Sequence, residues 1–127
     1  CSLKPSVFVY DYDFNAPTAE FLEKTHETFF RYVRERLPSL PVIMMSAPNY
    51  EHLAEADERR EIIRKTYDNA RAQGDENVYF IDGESVFRGR YENICTVDGV
   101  HPTDMGFALM ADAVEATLKK SFRTFDR

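Results

Sequence analysis

Two kinds of apolar pattern divide the chain. Val7-Phe8-Val9-Tyr10, Pro41-Val42-Ile43-Met44-Met45 and Val78-Tyr79-Phe80-Ile81 are short, continuous apolar runs rich in β-branched and aromatic residues. Runs of this length without alternation predict strands buried on both faces. The segments between them carry apolar residues at helical spacing instead. Leu22, Thr25, Phe29, Tyr32 or Val33, and Leu37 predict a first helix, with Pro17 in its first turn and Pro38 and Pro41 closing it. Ile62, Ile63, Thr66, Tyr67 and Ala70 predict a second, capped by Asp57 and ended by Gly74. The charges of that helix, Glu58, Arg59, Arg60 and Glu61, are assigned to a solvated face. A third helix is expected after Thr103 as its N-cap, with a buried stripe of Phe107, Met110 or Ala111, Val114 and Leu118. The stretch from Glu84 to Pro102 shows no regular period.

The order is therefore β-α-β-α-β-loop-α. Such alternation implies an α/β fold with a parallel sheet and helices on its faces. Ligands in sheets of this kind bind beyond the carboxyl ends of the strands. Asp11 to Asn15, Ser46 to Asn49, and Asp82 fall at that edge, and the loop containing Asp98 and His101 can fold over it.

Composition narrows the classes without naming a function. The 127 residues suffice for a single domain, 1–127. With 16 basic against 22 acidic residues, the formal net charge of -6 argues against a nucleic-acid partner. The apolar runs are too short for a membrane span, and no signal peptide is visible. Cys1 and Cys95 match no zinc spacing; a long-range disulfide and two free thiols are both compatible with them. The first strand follows Cys1 almost at once, so the chain is expected to be part of a larger protein.

Candidate chemistry centres on Asp98 and His101, three residues apart in a glycine-containing loop before a helix. Such a turn can set a carboxylate against Nδ1 of the imidazole and leave Nε2 free as a base. A loop histidine beside a capping aspartate has the same short signature. Asp98-Gly99-Val100-His101-Pro102-Thr103-Asp104-Met105-Gly106-Phe107 carries more information. It resembles the last conserved block of the SGNH (GDSL-like) hydrolases, Asp-x-x-His-Pro followed by a glycine in the next helix. Asp98, His101, Pro102 and Gly106 match that block. Asp11 to Pro17 resembles the Asp-Tyr-Asp-x-Asn-Ala-Pro segment of one subgroup of this family, so the resemblance covers essentially the whole chain.

The resemblance implies a three-layer α/β/α, flavodoxin-like fold whose N-terminal strands are missing, this chain being the C-terminal portion of the domain. It implies a serine esterase or acylhydrolase with His101 as base, Asp98 as its orienter and Asn15 as oxyanion donor. The usual block is Gly-x-Asn-Asp, where this chain has Asp13-Phe14-Asn15-Ala16; on the residues alone, Asn15 is equally a turn or capping residue before Pro17. The Gly-Asp-Ser nucleophile block has no counterpart, so the serine is expected upstream and the 127 residues alone are expected to be inactive. A non-catalytic binding module of the same fold is the alternative. The implied substrates are small esters, acylated carbohydrates or lipids, with no cofactor or metal. The resemblance is compatible with a periplasmic or secreted location, which the residues themselves do not specify.

Other candidates have plainer explanations. Ser46 follows a strand but lacks a glycine-flanked elbow, and is assigned to a strand-end turn. Cys95 has no cation placed to activate it. His26 is expected to be a half-buried packing or a surface histidine, and His52 a surface one. Asp11, Asp13 and Asp82 are assigned to turns rather than to Mg²⁺ or Ca²⁺, with Asp11 or Asp13 able to brace loops. Tyr10, Tyr12, Phe14, Tyr50 and Tyr91 can serve a substrate pocket or the core. An unpaired edge on the first strand would allow self-association.

Overall fold

The computed structural model describes residues 3–48, 54–89 and 91–123. Three four-residue strands, β1 (Phe8–Asp11), β2 (Val42–Met45) and β3 (Val78–Ile81), form a parallel sheet in the order β1-β2-β3. The register pairs Tyr10 with Met44 and Met44 with Phe80. Helices α1 (Ala19–Arg36) and α2 (Ala56–Ala72) connect the strands and pack on each other. Helix α3 (Asp104–Arg123) packs against β3.

Strand alternation divides the core into two layers. Val42, Met44 and Tyr10 join Leu22, Phe30, Ile63 and Ala70 from the α1–α2 side. Ile43, Met45 and Ile81 face Met110, Ala113, Val114 and Leu118 of α3. The fold is thus the expected three-layer α/β/α arrangement, with β2 buried along its whole length.

Several local expectations change. The first strand is shifted by one residue and is buried on one face only. Tyr10 is buried, but Val9 and Asp11, which share a face with Ile43 and Met45, are exposed. Helix α1 starts after Pro17, with the Thr18 hydroxyl accepting from the Phe21 amide at 3.1 Å. Its buried face is Ala19, Leu22, His26, Phe30 and Val33; Phe29 and Tyr32 turn outward. The cap of α2 is Glu55 rather than Asp57. Glu55 lies in the left-handed region at φ 60°, and its carboxylate accepts from the Ala19 amide at the start of α1. Gly74 follows the helix at φ +85°, the conformation expected of a glycine there. On α3, Thr103 caps as expected, accepting from the Gly106 amide at 3.3 Å, while Phe107 is exposed.

Two of the four charged residues assigned to the solvated face of α2 are drawn inward. Arg59 is buried against Asp13, and Arg60 is half-buried with an ion pair to Asp82. Each carboxylate lies just past a strand, so the helix's charges are drawn to the carboxyl edge of the sheet.

Candidate active site

The loop between β3 and α3 is tied down before it reaches His101. A one-turn helix at Glu92–Ile94 leads to Cys95, whose thiol is buried and donates to the Tyr91 carbonyl. Thr96 and Pro102 then form an antiparallel bridge, and the Val97 amide donates to the His101 carbonyl at 2.9 Å. The Thr103 amide donates to Cys95 O at 2.9 Å and its hydroxyl to Ile94 O at 2.7 Å. The base of the loop is therefore closed on itself by backbone bonds.

At the tip, Gly99 has φ +87°, a conformation that favours glycine and lets the chain reverse over Asp98. One oxygen of Asp98 accepts from the backbone amides of Val100 at 3.0 Å and His101 at 2.8 Å. The other lies 2.7 Å from His101 Nδ1. The His101 amide, then its ring, then the Val100 amide hold the Asp98 carboxyl well below the usual carboxylate range. An ionised carboxylate only accepts, so Nδ1 carries the proton and Nε2 of the neutral ring has a free lone pair. The histidine side chain is 77% exposed, which leaves that nitrogen open to a reactant.

Asn15 ends a one-turn helix, Asp13–Asn15, directly after β1. It is exposed, and it does not cap α1, a role held by Thr18. Asp13, two residues earlier, is 1% exposed. Its carboxylate accepts from the Ala47 amide at 2.8 Å and from Arg59 Nη1 at 3.2 Å. Arg59 also donates to the carbonyls of Asp13 at 2.9 Å and Ala16 at 3.1 Å. The charge pattern of α2 places Arg59 in solvent, whereas the structure buries it. Its spacing with Ile63, Thr66 and Ala70 on the buried stripe was the available signal.

The remaining candidates are engaged in structure. Ser46 is buried, and its hydroxyl accepts from the Gly83 amide at 2.9 Å. Cys95 is a free thiol that burial pushes above its ordinary pKa, which suits packing rather than nucleophilic attack. Asp82 is held by Arg60 and Arg64 and by the Glu84 amide. His26, expected to be half-buried or superficial, is fully buried. Cys1, Asn49, Tyr50 and His52 lie outside the described residues. Among the described residues, no helix is long and apolar enough to cross a membrane.

The described residues thus form a parallel α/β sheet with the Asp98–His101 pair in the loop before the last helix. The chain is a member of the GDSL-like lipase/acylhydrolase family, whose model matches residues 1–119. No curated protein matches it. A candidate GDSL-like lipase from Bacteroides ovatus superposes at a TM-score of 0.76 and 23% identity, covering 95% of this chain and 37% of that one. The salicylyl-acyltransferase SsfX3 of a tetracycline biosynthetic pathway superposes at a TM-score of 0.69 and 20% identity, covering 92% of this chain and 39% of that one. These likenesses establish the fold. The chain spans well under half the length of either structure.

Proposed function

We propose that this chain carries the general-base half of a serine esterase site, with the nucleophile supplied by sequence outside these 127 residues. The observation that carries the proposal is the 2.7 Å contact between His101 Nδ1 and an Asp98 carboxylate already held by two backbone amides. That carboxylate fixes both the tautomer and the ring plane, and the exposed Nε2 is the atom that would act.

The reaction follows from those roles. The serine oxygen attacks the ester carbonyl carbon as its proton passes to His101 Nε2. Asp98 stabilises the imidazolium without taking its proton. The side-chain amide of Asn15 donates to the oxyanion of the tetrahedral intermediate. Collapse breaks the ester C–O bond, and His101 returns the proton to the leaving alkoxide. Water, deprotonated by the same histidine, then releases the acid and the serine. The substrates in view are small esters, acylated carbohydrates and acyl lipids.

One observation favours a second reading. Among the described residues, Ser46 and Cys95 are both buried and already hydrogen-bonded, so neither is presented as a nucleophile. A binding module of the same fold would need none. Turnover of p-nitrophenyl acetate by the full-length protein separates the two. The esterase reading expects measurable kcat that falls about 10²–10⁴-fold in His101→Ala, and no turnover from residues 1–127 alone. Full-length protein that neither turns over esters nor is labelled at a serine by a fluorophosphonate would establish the binding module instead.

A further inference from the structure

Asn15 is exposed at the end of the Asp13–Asn15 turn. Its direction depends on the short turn that bears it. That turn is fastened at both ends by one side chain from another element. The Arg59 guanidinium, 5% exposed, reaches across from the first turn of α2. Nη1 donates to the carbonyl of Asp13, the first residue of the turn, and to its carboxylate; Nη2 donates to the carbonyl of Ala16, just past Asn15. The second oxygen of Asp13 is bound by the Ala47 amide beyond β2. The turn is thereby referenced to both β2 and α2.

The arginine is not placed to satisfy itself. Its Nε is buried without a hydrogen-bond partner among the described residues, and the nearest Glu55 oxygen lies 3.8 Å away. The fork is spent on the two backbone carbonyls that flank Asn15 instead. A planar, rigid guanidinium can hold two such carbonyls at a fixed separation, whereas an ammonium acts as a point charge. The turn also departs from Gly-x-Asn-Asp by having Asp13 in place of the glycine, and Asp13 is the residue that Arg59 engages.

We propose that Arg59 is a positioning residue that aims the Asn15 amide at the reacting carbonyl by clamping the Asp13–Ala16 turn at both ends. The proposal rests on Asn15 as oxyanion donor. It adds that the donor's strength is set from α2, 43 residues away from the Ala16 carbonyl that Arg59 holds.

Steady-state hydrolysis of p-nitrophenyl acetate by the full-length enzyme tests it. Arg59→Lys keeps a cation beside Asp13 but loses the fork. Its kcat should fall roughly 10- to 100-fold, the scale of a small misplacement of a reacting group, with KM little changed. Asn15→Ala should lower kcat about 10²–10³-fold. In the double variant, the loss should be no greater than in Asn15→Ala alone, because Arg59 has no donor left to aim. Multiplicative losses, or wild-type kcat in Arg59→Lys, would overturn the positioning role. Wild-type kcat in Asn15→Ala would instead remove the oxyanion assignment itself, a distinct failure that takes this proposal with it. If Arg59→Lys does not fold, the uncharged pair Asp13→Asn/Arg59→Gln replaces it, with the same expected loss and the same non-additivity with Asn15→Ala.

Discussion

Gly106 lies so close to Cys95 that a Cβ built on it would stand 2.2 Å from the Cys95 carbonyl oxygen. That carbonyl cannot swing away freely, because it accepts the Thr103 amide at 2.9 Å. The contact locks the root of the His101 loop onto the first turn of α3.

Gly106→Ala therefore sets two effects against each other. Alanine gains about 1 kcal/mol in helix propensity, while overpacking against backbone costs about 1–3 kcal/mol. At 2.2 Å the contact is severe enough for the clash to win. The variant should melt at a lower temperature and show reduced kcat as the loop shifts. A Tm at or above wild type would contradict this packing.

Asp98→Asn keeps the shape of the side chain and an acceptor for the two amides. An amide NH₂ facing Nδ1 would favour the tautomer with its proton on Nε2, which cannot act as a base. We expect kcat to fall about 10²–10⁴-fold with KM and Tm nearly unchanged. Because the wild-type carboxyl is held below its usual range, it stays ionised until the solution is strongly acidic. An acid limb in the pH–rate profile should therefore not belong to Asp98. Retained activity in Asp98→Asn would refute the orienting role.

His26 predicts how stability depends on pH. Its Nδ1 contacts the Thr66 hydroxyl at 2.9 Å, its ring stacks on Tyr10 at 4.3 Å, and its Nε2 is buried without a partner among the described residues. Tyr12 and Glu27 are the other titratable groups facing or adjoining the ring. Burial pushes its pKa from 6.5 down to about 4, with Glu27 opposing weakly. The unfolded chain then binds more protons between those values, so folding stability is full above pH 6.5 and falls as pH drops towards 4. The loss can reach about 3 kcal/mol. His26→Leu should flatten the urea-measured stability across that interval, and Thr66 can still donate to the Ile62 carbonyl. A variant that keeps the wild-type slope would locate the pH dependence elsewhere.

Ser46→Ala separates packing from chemistry. It leaves the buried Gly83 amide without its acceptor, a loss of about 1–3 kcal/mol. The kcat of the folded enzyme should be unchanged. Loss of turnover without loss of stability would make Ser46 the nucleophile and overturn the assignment of that role to another segment.

How much was legible depended on how local the cause was. Val42 to Met45 and Val78 to Ile81 announce strands because a short apolar run needs cover on both sides, and helices on each face supply it. Val7 to Tyr10 reads as buried on both faces, but the strand's open face depends on where α3 lies. The stripe of α1 was displaced for a related reason: Phe29 and Phe30 differ in sequence by one step, and only the position of the sheet decides which turns inward.

The sequence by itself determined the α/β order and the Asp98–His101 pair, since a three-residue turn around a glycine builds that contact from neighbouring atoms. Only the tertiary structure decided that Arg59 is buried and His26 enclosed. A charge or an imidazole enters a core when partners from other elements meet it, and here Asp13 lies 46 residues from Arg59 and Thr66 lies 40 from His26.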